Sequence, residues 1–256
     1  MNVLFILAHP EPTSFNAQLV RDGAAHLKAQ GHEVAIADLY ALGFDPVESA
    51  SHYANRAETA TFSPLAEQRH AAQTQTLPAE ITQQIEMLES ADLVVFQFPI
   101  WWHSVPAILK GWFDRVFVSG GLYTSKMRYD RGYFRGKRAI CSVTSGAPSQ
   151  AFVAGGRGGE LDQILWSTQF SLYYMGFDVL PPHASYGIAG HGFSYVSDDD
   201  FQRQFHALKQ AFLDRLDNVW TDAALKYPGW EDWDELGQPK ARKDRTMQGE
   251  ICHADE

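Results

Sequence analysis

Along the chain, short apolar runs alternate with longer stretches whose apolar residues recur every three or four positions. That alternation predicts βαβ units and a parallel sheet. Val3 to Ala8 is apolar on both faces, as expected of a strand covered by helices on each side. Phe15, Leu19, Gly23 and Leu27 share one helical face, and their helix should end near Gly31. Val34 to Leu39 predicts a second strand. Ile81, Ile85 and Leu88 carry a helix into a third, near-continuous apolar strand, Leu93 to Phe98. The stripe that follows is unusually clean: Val105, Ile108, Leu109, Trp112, Phe113, Val116 and Phe117. Ser104 is its expected N-cap, with Pro106 in the first turn. Ala139 to Thr144 predicts a fourth strand stopped by Ser145-Gly146, Leu161 to Met175 a helix, and Phe177 to Leu180 a fifth strand. Phe201, Phe205, Leu208, Phe212, Leu216 and Val219 define a last helix behind Asp198–Asp200, whose charge suits a helix N-terminus.

Five parallel strands with crossover helices make a doubly wound α/β sheet. Residues 41–77 lack sustained periodicity and read as an irregular excursion with short helices. The expected division is a domain over 1–220 and a C-terminal tail over 221–256. The tail carries Trp230 and Trp233 among charges and reads either as a disordered segment or as one that docks in part on a partner subunit.

Composition narrows the class. With 256 residues and 45% hydrophobic content, the chain can bury a sizeable core. No apolar run approaches the roughly 18 residues that cross a bilayer, and the N-terminus lacks a signal-peptide pattern, so the expected location is cytoplasmic. Cys141 and Cys252 cannot form a disulfide framework, and no metal-type spacing is present. A net charge of −10 disfavours nucleic acid or an anionic membrane as partner. One segment runs against that balance. Lys126, Arg128, Arg131, Arg135, Lys137 and Arg138 face a single acid, Asp130. It reads either as a solvated connecting loop or as an attractor for dinucleotide phosphates.

In such a sheet, ligands bind beyond the carboxyl ends of the strands, so the loops after strands one, three and four matter most. The first, His9-Pro10-Glu11-Pro12-Thr13-Ser14-Phe15-Asn16, lacks the familiar glycine-rich phosphate signatures. Its hydroxyls and the N–H groups of the helix it opens suit a phosphate, or plain N-capping. The second, Pro99-Ile100-Trp101-Trp102-His103, puts two indoles and an imidazole at the mouth of the sheet. These suit a flat aromatic ligand, or packing on neighbouring loops or a second subunit. The third, Thr144-Ser145-Gly146-Ala147, is small enough for close backbone approach to a ring. Gly155-Gly156-Arg157-Gly158-Gly159 follows as a mobile flap or an anion nest. Three such loops at one edge point to a flavodoxin-like, flavin-binding domain.

The segments LAHPEPTSFNAQL, DLYALGFDP, ADLVVFQFPIWWHSVPAILKGWFDRVF and TSGA resemble the NAD(P)H:quinone oxidoreductase family, DT-diaphorase and its bacterial relatives. The similarity runs to about residue 188 and more loosely to Trp220. The resemblance implies tightly bound FAD (FMN less so), NAD(P)H as reductant, and a quinone that takes two electrons in the same site. It implies a homodimer, with His9, Thr13, Ser14, Phe15 and Asn16 on the FAD pyrophosphate and ribityl chain. Pro99, Ile100, Trp101, Trp102 and His103 would line the flavin edge, and Thr144, Ser145, Gly146 and Ala147 its pyrimidine end. Asp114 would reach the partner subunit's cofactor, or simply pair with Lys110 four residues before it. Tyr123 would cover the nicotinamide and quinone pocket.

The chain departs from the family at four places. The tyrosine and histidine that the family sets near flavin O2 align with Phe152 and Gly158, a second pocket tyrosine with Ser125, and a pocket phenylalanine with His103. Charge on that flavin edge would then fall to N–H groups of the Gly155–Gly159 loop with Arg157, and proton donation on the substrate side to His103. The expected catalytic set is therefore Tyr123, His103, Gly146 and Arg157. Competing functions are azo, nitro or flavin reduction, a flavodoxin electron carrier, and a regulatory subunit of a potassium efflux system.

Overall fold

The computed structural model describes residues 1–188 and 198–240, excepting the side chains of 198–202. The Asp198–Asp200 carboxylates and residues 241–256 of the tail lie outside that description. The chain forms two compact units, Met1–Leu225 and a second beginning at Lys226. Leu225 N–H donates to Val179 O at 2.7 Å, which carries the first unit beyond Trp220.

The first unit contains β1 (Asn2–Leu7), α1 (Phe15–Ala29), β2 (Glu33–Asp38), α2 (Pro64–Thr74), α3 (Ala79–Ser90), β3 (Leu93–Pro99) and α4 (Ala107–Val116). It continues with β4 (Arg138–Ser145), α5 (Leu161–Tyr174), β5 (Asp178–Val179), β6 (His183–Tyr186) and α6 (Asp198–Asn218). The strands run in the order β2-β1-β3-β4-β5, every pair parallel, and β6 extends along β4 beyond β5. The order reverses between β1 and β3, which opens a crevice above their carboxyl ends.

All seven residues of β3 are buried, as its uninterrupted apolar run requires. On one face Phe5, Leu7, Leu19, Val20 and Leu27 pack with Phe212 and Leu216 of α6 and with Val219 just past its end. Gly23 makes this possible, because a Cβ there would stand 2.9 Å from both Leu216 and Phe212 side chains. On the other face Trp112 meets Phe96 edge-on at 5.8 Å, and its indole N–H donates to Gln84 Oε1 at 3.0 Å. Burying an aromatic polar atom with its partner keeps the area gain without a desolvation penalty.

Two expectations need correction. The fifth strand does not end at Leu180. Pro181-Pro182 interrupts it, and it resumes as β6, so that three residues, Leu180 to Pro182, stand opposite two of β4, Ile140 and Cys141. Proline lacks the N–H a ladder needs, and a one-residue bulge absorbs the pair. Ser104 is not a helix cap either. The helix starts after Pro106, whose ψ of 147° is extended, and Ser104 instead pairs its backbone with Trp101. A residue before proline resists helical ψ, which keeps Val105 out of the helix.

Candidate active site

The loop after β1 is closed by its own bonds. Glu11 Oε1 accepts from Thr13 N at 2.9 Å and from Thr13 Oγ1 at 2.6 Å, and Ser14 N donates to Glu11 O at 3.1 Å. Ser14 Oγ caps α1 by accepting from Ala17 N at 3.2 Å. Thr13 therefore spends both its donors inside the loop and Ser14 its N–H, while the Ser14 hydroxyl serves the cap as an acceptor. What remains outward are the N–H groups of Phe15 and Asn16, which have no partner among the described residues. His9 Nδ1 lies 3.0 Å from the Glu11 N–H and 3.3 Å from Glu11 O, and in the tautomer that accepts at the nearer contact the ring proton sits on Nε2. Burial holds the His9 pKa below its ordinary value, against weaker upward pulls from Glu11 and Asp38. The loop thus presents a neutral imidazole N–H beside two N–H groups at a helix start, a donor set for an anion.

The loop after β3 is a tight reversal. Trp101 and Ser104 exchange both backbone hydrogen bonds at 3.0 Å, and the two residues between them have positive φ: Trp102 at 50° and His103 at 55°. Two left-handed residues in a two-residue turn define the type I′ geometry, usually reserved for asparagine and glycine. The Trp102 and His103 N–H groups have no partner among the described residues, and the Trp102 side chain is 97% exposed. Strain of this kind, of order 1 kcal/mol or more per residue, persists where the surroundings over-determine it.

The loop after β4 is held by Ala147 N donating to Ser145 Oγ at 3.2 Å, Gly187 N to Ala147 O at 3.0 Å, and Ile188 N to Ser145 O at 3.0 Å. Beyond it the glycine-rich loop is largely self-satisfied. Gly156, Gly158 and Gly159 N–H donate to Val153, Ala151 and Gly156 carbonyls, which leaves the N–H groups of Gly155 and Arg157 for a ligand. The Phe152 ring occupies the space a side chain at Gly158 would need, 3.2 Å from a Cβ there. Its other neighbour is Tyr186, with ring centroids 5.1 Å apart. Tyr186 stands opposite Ser145 at the end of β6, and burial, then the Asp162 charge, raises its pKa. Sequence reading missed Tyr186, because His183–Tyr186 has no apolar run to announce a strand.

Bonds join the three loops into one rim. Ile100 N donates to Thr144 O at 2.9 Å, Asn16 Nδ2 to Thr144 Oγ1 at 2.9 Å, and Gln97 Nε2 to Asn16 Oδ1 at 2.8 Å. The His9 and Trp101 ring centroids are 6.0 Å apart. The Asn16–Gln97–Thr144 triangle is buried and bonded through Asn16, so removing Asn16 leaves both other side chains without that partner. His9, Thr13, Ser14, Phe15, Asn16, Pro99–His103 and Thr144–Ala147 thus sit at a single edge.

Tyr123 and Asp114 do not join them. Tyr123 packs edge-on against Tyr174 at 5.5 Å, at the end of α5 where the chain turns toward the start of β5. Arg128 lies over the Tyr174 ring at 5.6 Å and donates to its hydroxyl at 3.2 Å. This is the amino edge of the sheet, opposite the three loops. Asp114 accepts from Lys110 Nζ at 2.5 Å, the i,i+4 pair that its spacing allows. The basic segment also divides. Lys137 Nζ donates to Glu89 O and Ala91 O, both at 2.7 Å, and Arg138 donates to Val219 O and Asp222 O, so these two cations tie down the fold. A cavity of about 300 Å³ opens at this edge among Tyr129, Arg135, Tyr173 and Phe177, and contains none of the expected site residues. Among the described residues, no cluster of three or more His, Cys, Asp or Glu could hold a metal, and no helix is long and apolar enough to cross a membrane.

A parallel 2-1-3-4-5 sheet with this crevice defines a flavodoxin-like protein, and the family described as having a flavodoxin-like fold matches residues 1–216. The guinea pig (Cavia porcellus) NAD(P)H dehydrogenase [quinone] 1 is 38% identical over 226 residues, covering 88% of this chain and 79% of the relative. Ribosyldihydronicotinamide dehydrogenase [quinone] of Mus musculus is 32% identical over 89% of this chain and 96% of its own length. A Klebsiella pneumoniae protein solved as a candidate quinone reductase superposes with a TM-score of 0.79 at 35% identity, over 91% of each chain. The chain belongs to the NAD(P)H:quinone oxidoreductase family.

Proposed function

We propose that this chain is a flavin-dependent NAD(P)H:quinone oxidoreductase that works as a homodimer. The observation that carries the reading is the division of the site. The Asn16–Gln97–Thr144 bonds weld three loops at the carboxyl edge, while Tyr123 stands at the amino edge of the same sheet. Within one chain they cannot line one pocket, so a second copy must bring its Tyr123 over the rim.

The rim's donor set fits a flavin. Phe15 and Asn16 N–H with His9 Nε2–H would hold a pyrophosphate, and Trp102 and His103 N–H would meet polar atoms of the ring. Gly146, exposed and free of a side chain, would let the backbone lie against its pyrimidine end. A bound flavin supplies a two-electron carrier between reduced nicotinamide and the acceptor. The chain's own residues do the remainder. Arg157, exposed beside Gly158, would meet negative charge at that end, and His103 would hand a proton from its ring nitrogen to the acceptor. Both substrates need the face beneath Tyr123, which makes the order ping-pong. The imidazole at His9, the third member of the phosphate set, favours FAD over FMN.

Purified protein tested alone with NADPH and menadione should be yellow, bleach with NADPH and give parallel double-reciprocal lines, and mass measurement of the released flavin should find FAD. A colourless protein that takes up neither FAD nor FMN would overturn the reading.

A further inference from the structure

We infer that Glu11 is a positioning residue for the cofactor phosphate, setting the donors of the β1–α1 loop without contacting the ligand itself. The inference rests on the flavin reading above. Three arms of Glu11 act on three different neighbours. Its carboxylate holds both the N–H and the hydroxyl of Thr13, at 2.9 and 2.6 Å. Its carbonyl accepts from Ser14 N at 3.1 Å. Its N–H and carbonyl both face His9 Nδ1, at 3.0 and 3.3 Å, which fixes the ring and leaves Nε2 for a ligand. Arg21 Nη1 donates to Pro12 O at 2.6 Å and pins the same loop to α1 from outside.

The consequence is selective. Donors that would otherwise compete for an anion, Thr13 N–H and Oγ1, are silenced, and those of Phe15, Asn16 and His9 are left pointing outward. A carboxylate beside a phosphate is an electrostatic liability, and one in this place demands a compensating role. The loop geometry supplies that role, since two charge-assisted hydrogen bonds fix a segment that contains two prolines and no regular structure. Thr13 donation keeps the Glu11 pKa below its ordinary value, so the lock stays ionised through the neutral range.

The test separates geometry from charge. Apoprotein would be titrated with FAD, FMN and riboflavin, following flavin fluorescence, in the parent, Glu11→Ala and Glu11→Gln. Glu11→Ala should weaken FAD and FMN by about tenfold and leave riboflavin, which lacks the phosphate, unchanged. Glu11→Gln keeps an acceptor for Thr13 and removes the charge, so it should bind FAD and FMN at least as tightly as the parent. Equal losses for all three flavins in Glu11→Ala would overturn the assignment, as would a Glu11→Gln protein as weak as Glu11→Ala, or no loss at all. A parent that binds none of the three would overturn the flavin reading and the assignment with it.

Discussion

The two edges of the sheet are built by opposite means. At the carboxyl edge, backbone and side-chain bonds bind the loops to one another, and the residues left exposed are donors, two of them in strained left-handed turns. At the amino edge, the hydrogen bonds of Lys137, Arg138 and the Phe134 N–H are consumed within the fold, beside close backbone approach and stacked rings. Gly132 lies so near Gly176 that a Cβ on either would fall within 2.7 Å of the other's backbone, and Phe134 stacks on Phe177 at 4.6 Å. The difference teaches what each edge is for. A hydrogen-bonded rim keeps fixed donors ready for a ligand, whereas a packed edge can offer only surfaces, and Tyr123 is one of them. In the dimer proposed above, neither edge would be a complete site alone.

That contrast can be broken at its strongest point. Gly132→Val would drive a branched side chain into the Gly176 backbone and should cost about 3 kcal/mol or more, read by denaturant unfolding. Gly146→Val, where a Cβ meets only Ile188 O at 3.3 Å, should cost well under 1 kcal/mol while abolishing flavin uptake. Equal destabilisation by the two would erase the distinction between the edges.

Next comes the weld. Asn16→Leu leaves Gln97 and Thr144 buried without their partner and should cost about 2 to 3 kcal/mol, together with the flavin. A variant as stable as the parent in chemical denaturation would show that the triangle does not hold the rim.

The strand under the third loop gives a pH signature of about 3 kcal/mol. Burial, then the Arg215 charge, depresses the His183 pKa from 6.5 to about 4. The folded state therefore resists the proton that the unfolded chain accepts. Stability is complete above 6.5, falls as pH drops toward about 4, and is flat for this group below it. His183→Gln should remove about 3 kcal/mol of the stability change between pH 6.5 and 4, and an unchanged pH dependence would contradict it.

The smallest effect is the most specific. Tyr123→Ala should leave flavin affinity and unfolding unchanged and lower kcat/KM with menadione about tenfold, near 1.4 kcal/mol.

Much of this was legible in the residues. Apolar runs placed β1, β3 and β4 within a residue or two, and the stripe from Val105 to Phe117 announced α4. The three loops were found because strand ends say where a doubly wound sheet binds. The rest escaped for physical reasons. Nothing in Trp102-His103 advertises a type I′ turn, because the Trp101–Ser104 backbone pair closes it against the propensity of both residues. The silencing of Thr13 by Glu11 depends on a loop path that no periodicity encodes. That Tyr123 lies at the far edge from Gly146 follows from the crossover geometry of α4, which a motif match leaves unstated.

Mixed dimers test the shared site most directly. Gly146→Leu, which blocks the rim, and Tyr123→Ala, which strips the covering edge, should each be nearly inactive or impaired as homodimers. Refolded together at equal amounts, half the dimers would be mixed and would carry one intact rim under one intact Tyr123, recovering about a quarter of parent activity. Mixing that recovers nothing above the sum of the two separate variants would contradict a site built between copies.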